Sequence, residues 1–186
     1  MTEKIAILIR DRGHFTINDL NRFYEQTYYN YEIVIFADNL QLAKKKFSDI
    51  QISIYDNQYF KADFINSHII CDYLMFFNEN EYFAQNDSLE KMFSQMKQYS
   101  SELSISSAVR FSNGSFFFYF TEDTEKIHNL NQNNVWLYTR DNWEFRKLSG
   151  FLFKKQLLSE LMHNHQISLK KMILKAENAI FDCNSY

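Results

Sequence analysis

Three short stretches of this chain are apolar at every position: I-A-I-L-I at residues 5–9, I-V-I-F at 33–36 and Y-L-M-F-F at 73–77. A fourth, I-S-I at 52–54, is shorter. Strands of this kind have no polar face to turn toward water, so both faces must be covered. The segments between them read as helices. Thr16 can cap one with Asp19 three residues on, and Ile17, Leu20 and Tyr24 fall on one face of it. Two more helices are predicted at about 40–47 and 59–68. Strands alternating with helices predict an α/β domain with a mainly parallel central sheet. In such sheets ligands collect at the carboxyl ends of the strands. Asp38 and the run Asn78-Glu79-Asn80-Glu81 stand at two of those ends.

The second half reads differently. Asp87 can cap a helix with Glu90 at the reciprocal position, and Leu89, Met92, Phe93 and Met96 form its buried stripe. Residues 104–120, turning at S-N-G-S around Gly114, predict a β-hairpin. The Phe116-to-Phe120 part of it has no polar face, which suits either a doubly buried strand or a partner's surface. A strand at 150–153 follows, then a helix with Leu157, Leu158 and Leu161, and another with Leu169, Met172 and Ile173.

With 186 residues the chain suits one domain better than two. A net charge of −3, with dispersed Lys and Arg, leaves no footprint for nucleic acid. Three glycines and no proline argue against a Gly-rich phosphate loop. Cys71 and Cys183 lack zinc spacing and read as reduced thiols. No apolar run approaches the roughly 20 residues of a transmembrane helix, and Glu3 and Lys4 do not begin a signal peptide. The expected location is the cytoplasm. His163 and His165 lack a third metal ligand nearby in sequence, and Trp136 and Trp143 read as core or rim aromatics.

Four stretches in order resemble the family 2 glycosyltransferases: I-A-I-L-I-R-D-R-G-H-F (5–15), Y-E-Q-T-Y-Y-N-Y-E-I-V-I-F-A-D-N (24–39), C-D-Y-L-M-F-F-N-E-N-E-Y-F (71–83) and G-F-L-F-K-K-Q-L-L (150–158) followed by K-A-E-N-A-I-F (175–181). The resemblance covers most of the chain, about residues 4–181, and Q-T-Y-Y-N-Y-E-I-V-I is its strongest piece. It implies a single GT-A domain, with a nucleotide-binding half at about 1–100 and an acceptor-side half at about 101–186. It further implies a nucleotide-sugar donor, a divalent cation (Mn or Mg), and a role in building a surface polysaccharide or glycosylating a protein. By this resemblance Asp38, Asn78 and Asn80 bind the nucleotide-sugar, Glu81 is a metal ligand, and Glu177 with Asn178 stands where the family carries its Glu-Asp pair.

The sequence departs from the family at its working charges. The two aspartates of the Asp-x-Asp metal motif are replaced by Asn78 and Asn80, and the Asp that resembles a general base is replaced by Asn178. An amide oxygen can coordinate Mn or Mg but brings no charge. A unit charge pair ~4 Å apart is worth roughly 4 kcal/mol at an effective dielectric near 20. If about 2–3 kcal/mol survives desolvation, its loss weakens metal binding roughly 30- to 150-fold. An amide also cannot accept a proton as a general base. Glu79 and Glu81 share a face if the chain stays extended, and offer a replacement carboxylate pair. Two classes therefore compete: a glycosyltransferase with reduced or lost metal-dependent catalysis, and a non-catalytic relative acting as a binding or assembly subunit. A homodimer or a protein partner is expected through the apolar hairpin. The sequence stops soon after Asn178, where relatives continue into further helices; a fragment and an incomplete acceptor site are the two alternatives.

Overall fold

A computed structural model describes residues 3–79, 81–83, 85–106, 109–112, 115–118, 127–130, 150–163, 166–167 and 179–182. The first half alternates as its apolar segments predict. The strands are β1 (Ile5–Asp11), β2 (Tyr31–Ala37), β3 (Ser53–Asp56) and β4 (Tyr73–Asn78), and the helices between them α1 (Ile17–Tyr24), α2 (Leu40–Lys46) and α3 (Ala62–His68). Helix α4 (Ser88–Gln98) leads into β5 (Leu103–Ser106), and β6 (Val109–Ser112) and β7 (Ser115–Phe118) follow. Further on lie β8 (Ile127–Leu130), β9 (Phe151–Lys154), β10 (Met162–His163), β11 (Gln166–Ile167) and β12 (Ala179–Asp182).

Among the described residues the main sheet runs β3-β2-β1-β4-β9-β5-β12-β8. The pairs from β3 to β4 are all parallel, as is β5 with β12. Strand β9 is antiparallel to both β4 and β5, and β8 is antiparallel to β12. The chain turns into β9 at Gly150, whose φ of 79° suits a residue without Cβ, and its N–H donates to the Phe76 carbonyl at 3.3 Å. Of the hairpin expected over 104–120, the inner part is present as β6 and β7, paired antiparallel with Ser112 opposite Ser115, while residues 104–106 belong to β5 of the main sheet.

Strands β1, β2 and β4 bury both faces, and alternate residues belong to separate cores, while β3 at the sheet's edge is only partly buried. Ala6, Leu8, Val34, Phe36, Leu74 and Phe76 pack with Ile65 and Ile69 of the α3 region. Ile7, Ile9, Ile35, Met75 and Phe77 pack with Leu20 and Phe23 of α1, Phe47 after α2, and Met92 and Met96 of α4. At about 1.5–3 kcal/mol for each large side chain removed from water, this double burial drives the parallel half.

Several local expectations shift. The buried face of α1 is Leu20 and Phe23, while Ile17 and Tyr24 are 45% and 47% exposed. Phe23 wins the inward position because its ring meets Phe77 edge-on, with centroids 5.0 Å apart. The predicted helix at 59–68 divides into a 3-10 turn, Asn57–Tyr59, and α3. Asp87 begins α4 without a side-chain cap bond and pairs instead with Lys91 at 3.0 Å. The cap comes from elsewhere in the chain: the Leu89 N–H donates to Gln26 Oε1 at 2.9 Å, and Thr27 Oγ1 donates to Glu90 at 2.6 Å. Leu158–Leu161 is a short helix after a 3-10 turn at Lys155–Leu157. The helix expected around Leu169, Met172 and Ile173 lies outside the described residues, as do Trp136, Trp143, His165 and Cys183.

Candidate functional site

Parallel pairing brings the carboxyl ends of β1 to β4 to one edge, where Asp11, Asp38, Asp56 and Asn78 terminate or directly follow their strands. The order β2-β1-β4 sets the ends bearing Asp38 and Asn78 on either side of β1.

The loop between β1 and α1 is held by two carboxylates. Asp11, only 2% exposed, accepts from the N–H of Gly13 at 2.7 Å and of Phe15 at 3.1 Å. Glu79 accepts from the N–H of Arg12 at 2.7 Å and of His14 at 3.2 Å. Four consecutive amides are thus satisfied alternately from β1 and from the end of β4. Gly13, at φ +116°, permits the turn. The Glu79 N–H continues the β1–β4 ladder by donating to the Arg10 carbonyl at 3.0 Å.

Asp38 is exposed at the end of β2. Its N–H donates to the Asp11 carbonyl at 3.0 Å, and its carboxylate accepts from Asn57 Nδ2 at 2.5 Å. Asn57 in turn accepts from Arg10 Nε at 3.1 Å. The Arg10 guanidinium lies 5.6 Å from the centroid of the Phe60 ring. A chain of contacts therefore runs Phe60–Arg10–Asn57–Asp38 along the edge.

Asn78, the last residue of β4, is half-buried, and the chain turns directly after it. Glu81 N–H donates back to the Asn78 carbonyl at 3.2 Å. Its carboxylate folds the same way: Oε2 accepts from the Asn78 N–H at 2.7 Å and from Asn78 Nδ2 at 2.9 Å. The extended arrangement that would align Glu79 with Glu81 is absent. Glu79 serves the loop after β1 and Glu81 serves Asn78, so each has its own partners. A cation at Glu81 Oε2 would compete with both N–H donors. Among the described residues no cluster of three or more His, Cys, Asp or Glu side chains is arranged to hold a metal ion. The donor set at this edge therefore does not fit a charged metal cage.

The structure thus brings Asp38, Asn78 and Glu81 to one edge. Asn80, Glu177 and Asn178 lie outside the described residues. Arg10, Asp11 and Asn57 also belong to the edge and were missed by sequence reasoning, while Glu79, expected there as a replacement carboxylate, holds the loop after β1 instead. Asp11 had a readable signal, an Asp two residues before a Gly, which favours a side-chain-to-backbone turn. Arg10 had another, a charge inside an otherwise apolar strand. Cys71 is remote from this chemistry as a nucleophile, since burial pushes its thiol up to about 11. No helix among the described residues is long and apolar enough to cross a membrane.

No protein-family model matches the chain, and no curated protein matches it significantly. Solved structures do match. The S. aureus TarS fragment 1–349 in complex with UDP superposes with a TM-score of 0.65 at 12% identity, over 96% of this chain and 57% of that one. The same fragment in complex with UDP-GlcNAc also gives 0.65 and 12%, over 96% and 55%. S. aureus TarS gives 0.64 and 12%, over 97% and 35%. The chain therefore spans less than two thirds of each of these neighbours. The likeness shows the fold: a GT-A-like α/β domain with a mainly parallel central sheet, flanking helices and a hairpin in the second half.

Proposed function

We propose that the chain binds a nucleotide-sugar along the carboxyl edge of β1 to β4 and belongs to glycosyl transfer of the family 2 type. Its role would be in building a surface polysaccharide or glycosylating a protein in the cytoplasm, with little or no dependence on a divalent cation. The observation that carries this reading is Asp38, an exposed carboxylate held at the end of β2 by Asn57. Such a group is suited to accept from the N–H of a base or a ribose hydroxyl. The neighbours solved with UDP and UDP-GlcNAc support the choice of ligand class. The test is calorimetric titration with UDP and UDP-GlcNAc, with Mn and again with EDTA. Both ligands are expected to bind under both conditions; absence of binding to either ligand in either condition contradicts the reading.

A second reading is favoured by the bond between Asn78 and Glu81. It commits the remaining carboxylate to the protein's own amides rather than to an ion. On that reading the domain binds its ligand without turning it over and serves as a binding or assembly subunit. Release of UDP from UDP-GlcNAc by the purified chain separates the two: turnover supports the enzyme, and binding without turnover supports the subunit.

A further inference from the structure

We infer that Arg10 binds the diphosphate of the ligand and supplies, from within the chain, positive charge that a divalent cation would otherwise bring; this rests on the nucleotide-sugar reading above. A diphosphate needs donors, and most donors at this edge are engaged. The four amides from Arg12 to Phe15 donate to Glu79 and Asp11. The Asn78 amides donate to Glu81, and the Asn57 amide donates to Asp38. Lys46 Nζ donates to the Phe15 carbonyl at 2.8 Å.

The side chains of Arg12 and His14 also have donors left but are exposed, whereas Arg10 has donors left and is held in place. It is half-buried and uses only Nε within the protein, toward Asn57. The other donors of its guanidinium make no hydrogen bond to a described residue. Two contacts fix the plane of the group: the Asn57 bond on its Nε edge, and the Phe60 ring beneath it. Arg10 is also the penultimate residue of β1. It faces Asn78 across one side of its strand and Phe36 across the other. Its backbone therefore lies between the strand that ends at Asn78 and the strand that leads to Asp38, with the guanidinium turned to Asn57 and Phe60. A planar guanidinium bonds phosphate oxygens in pairs, which a lysine does not reproduce. Holding it in place beforehand lowers the ordering cost of binding.

The test uses the full chain in EDTA, titrated calorimetrically with UDP and with uridine. The wild type is expected to bind UDP without metal. Arg10→Gln is expected to weaken UDP by about 10- to 100-fold, the loss typical of charge-assisted hydrogen bonds, and to leave uridine within about 3-fold. Arg10→Lys is expected to fall between, because it keeps the charge and loses the fork. It also decides the matter if Arg10→Gln does not fold. Equal UDP affinity in wild type and either variant overturns the inference alone. UDP binding by the wild type only when Mn is present overturns it together with the metal independence proposed above, and leaves nucleotide binding itself standing. Failure of the wild type to bind UDP in any condition overturns the nucleotide reading, and this inference with it.

Discussion

At the end of β4 the side chain of Asn78 gives a hydrogen to Glu81, and the backbone N–H of the same residue gives a second. An aspartate at this position has no hydrogen to give, and would set a second negative charge against Glu81. A cation between the two would relieve that repulsion. The Asn78 amides thus make a contact to Glu81 that is internal to the chain. The double change Asn78→Asp with Asn80→Asp should recreate the charge requirement. UDP binding by this variant is expected to tighten about 30-fold or more on adding Mn, following the charge argument above. The wild type should respond little. If the variant shows no metal response, residues 78–81 are not the position of a metal motif. Glu79 is a different case. Its two bonds to the amides of Arg12 and His14 make it part of the loop's scaffold, so it does not pair with Glu81 as a second carboxylate.

At the scale of elements, the most informative contact joins the end of α1 to the start of α4. Gln26, 7% exposed, accepts from the Leu89 N–H and donates to the Gln85 carbonyl at 2.8 Å. The Thr27 N–H donates to the Asn86 carbonyl at 2.7 Å, and the Thr27 hydroxyl reaches Glu90. Tyr28 packs on Phe93, with ring centroids 5.0 Å apart. The Q-T-Y stretch that carries the strongest resemblance is therefore structural: it caps α4 and seats it on the sheet. Gln26→Ala leaves the Leu89 amide without its acceptor and is expected to destabilise the fold by about 1–3 kcal/mol, read from the urea midpoint. An unchanged midpoint would show that the cap is dispensable. The same contact marks the limit of what was legible. Thr16 and Asp19 form the predicted capping box because both partners are local. Asp87 and Glu90 match the same pattern, yet the acceptor for α4 comes from a residue 63 positions away. Likewise Tyr24 fits the helical period of α1 but yields the inward place to Phe23, whose partner Phe77 is on another strand.

At the scale of the molecule, the strands of the parallel half were legible because burial on both faces removes polar residues from them. The antiparallel entry of β9 between β4 and β5 was not, since a run of three apolar residues pairs equally well in either direction. The edge followed the same division. Asp38 and Asn78 could be placed from the ends of their strands. The Arg10–Asn57–Asp38 chain joins segments distant in sequence, whereas the fold of Glu81 onto Asn78 is a contact over three residues that an extended reading of 78–81 passes over. The central claim is that a nucleotide lies along this edge of the sheet, and backbone amide chemical-shift mapping during UDP titration in EDTA tests it most directly. Shifts are expected to concentrate at residues 10–15, at Asp38 and Asn57, and at 78–81. Shifts concentrated away from the carboxyl ends of β1 to β4, or none at saturating UDP, would contradict it.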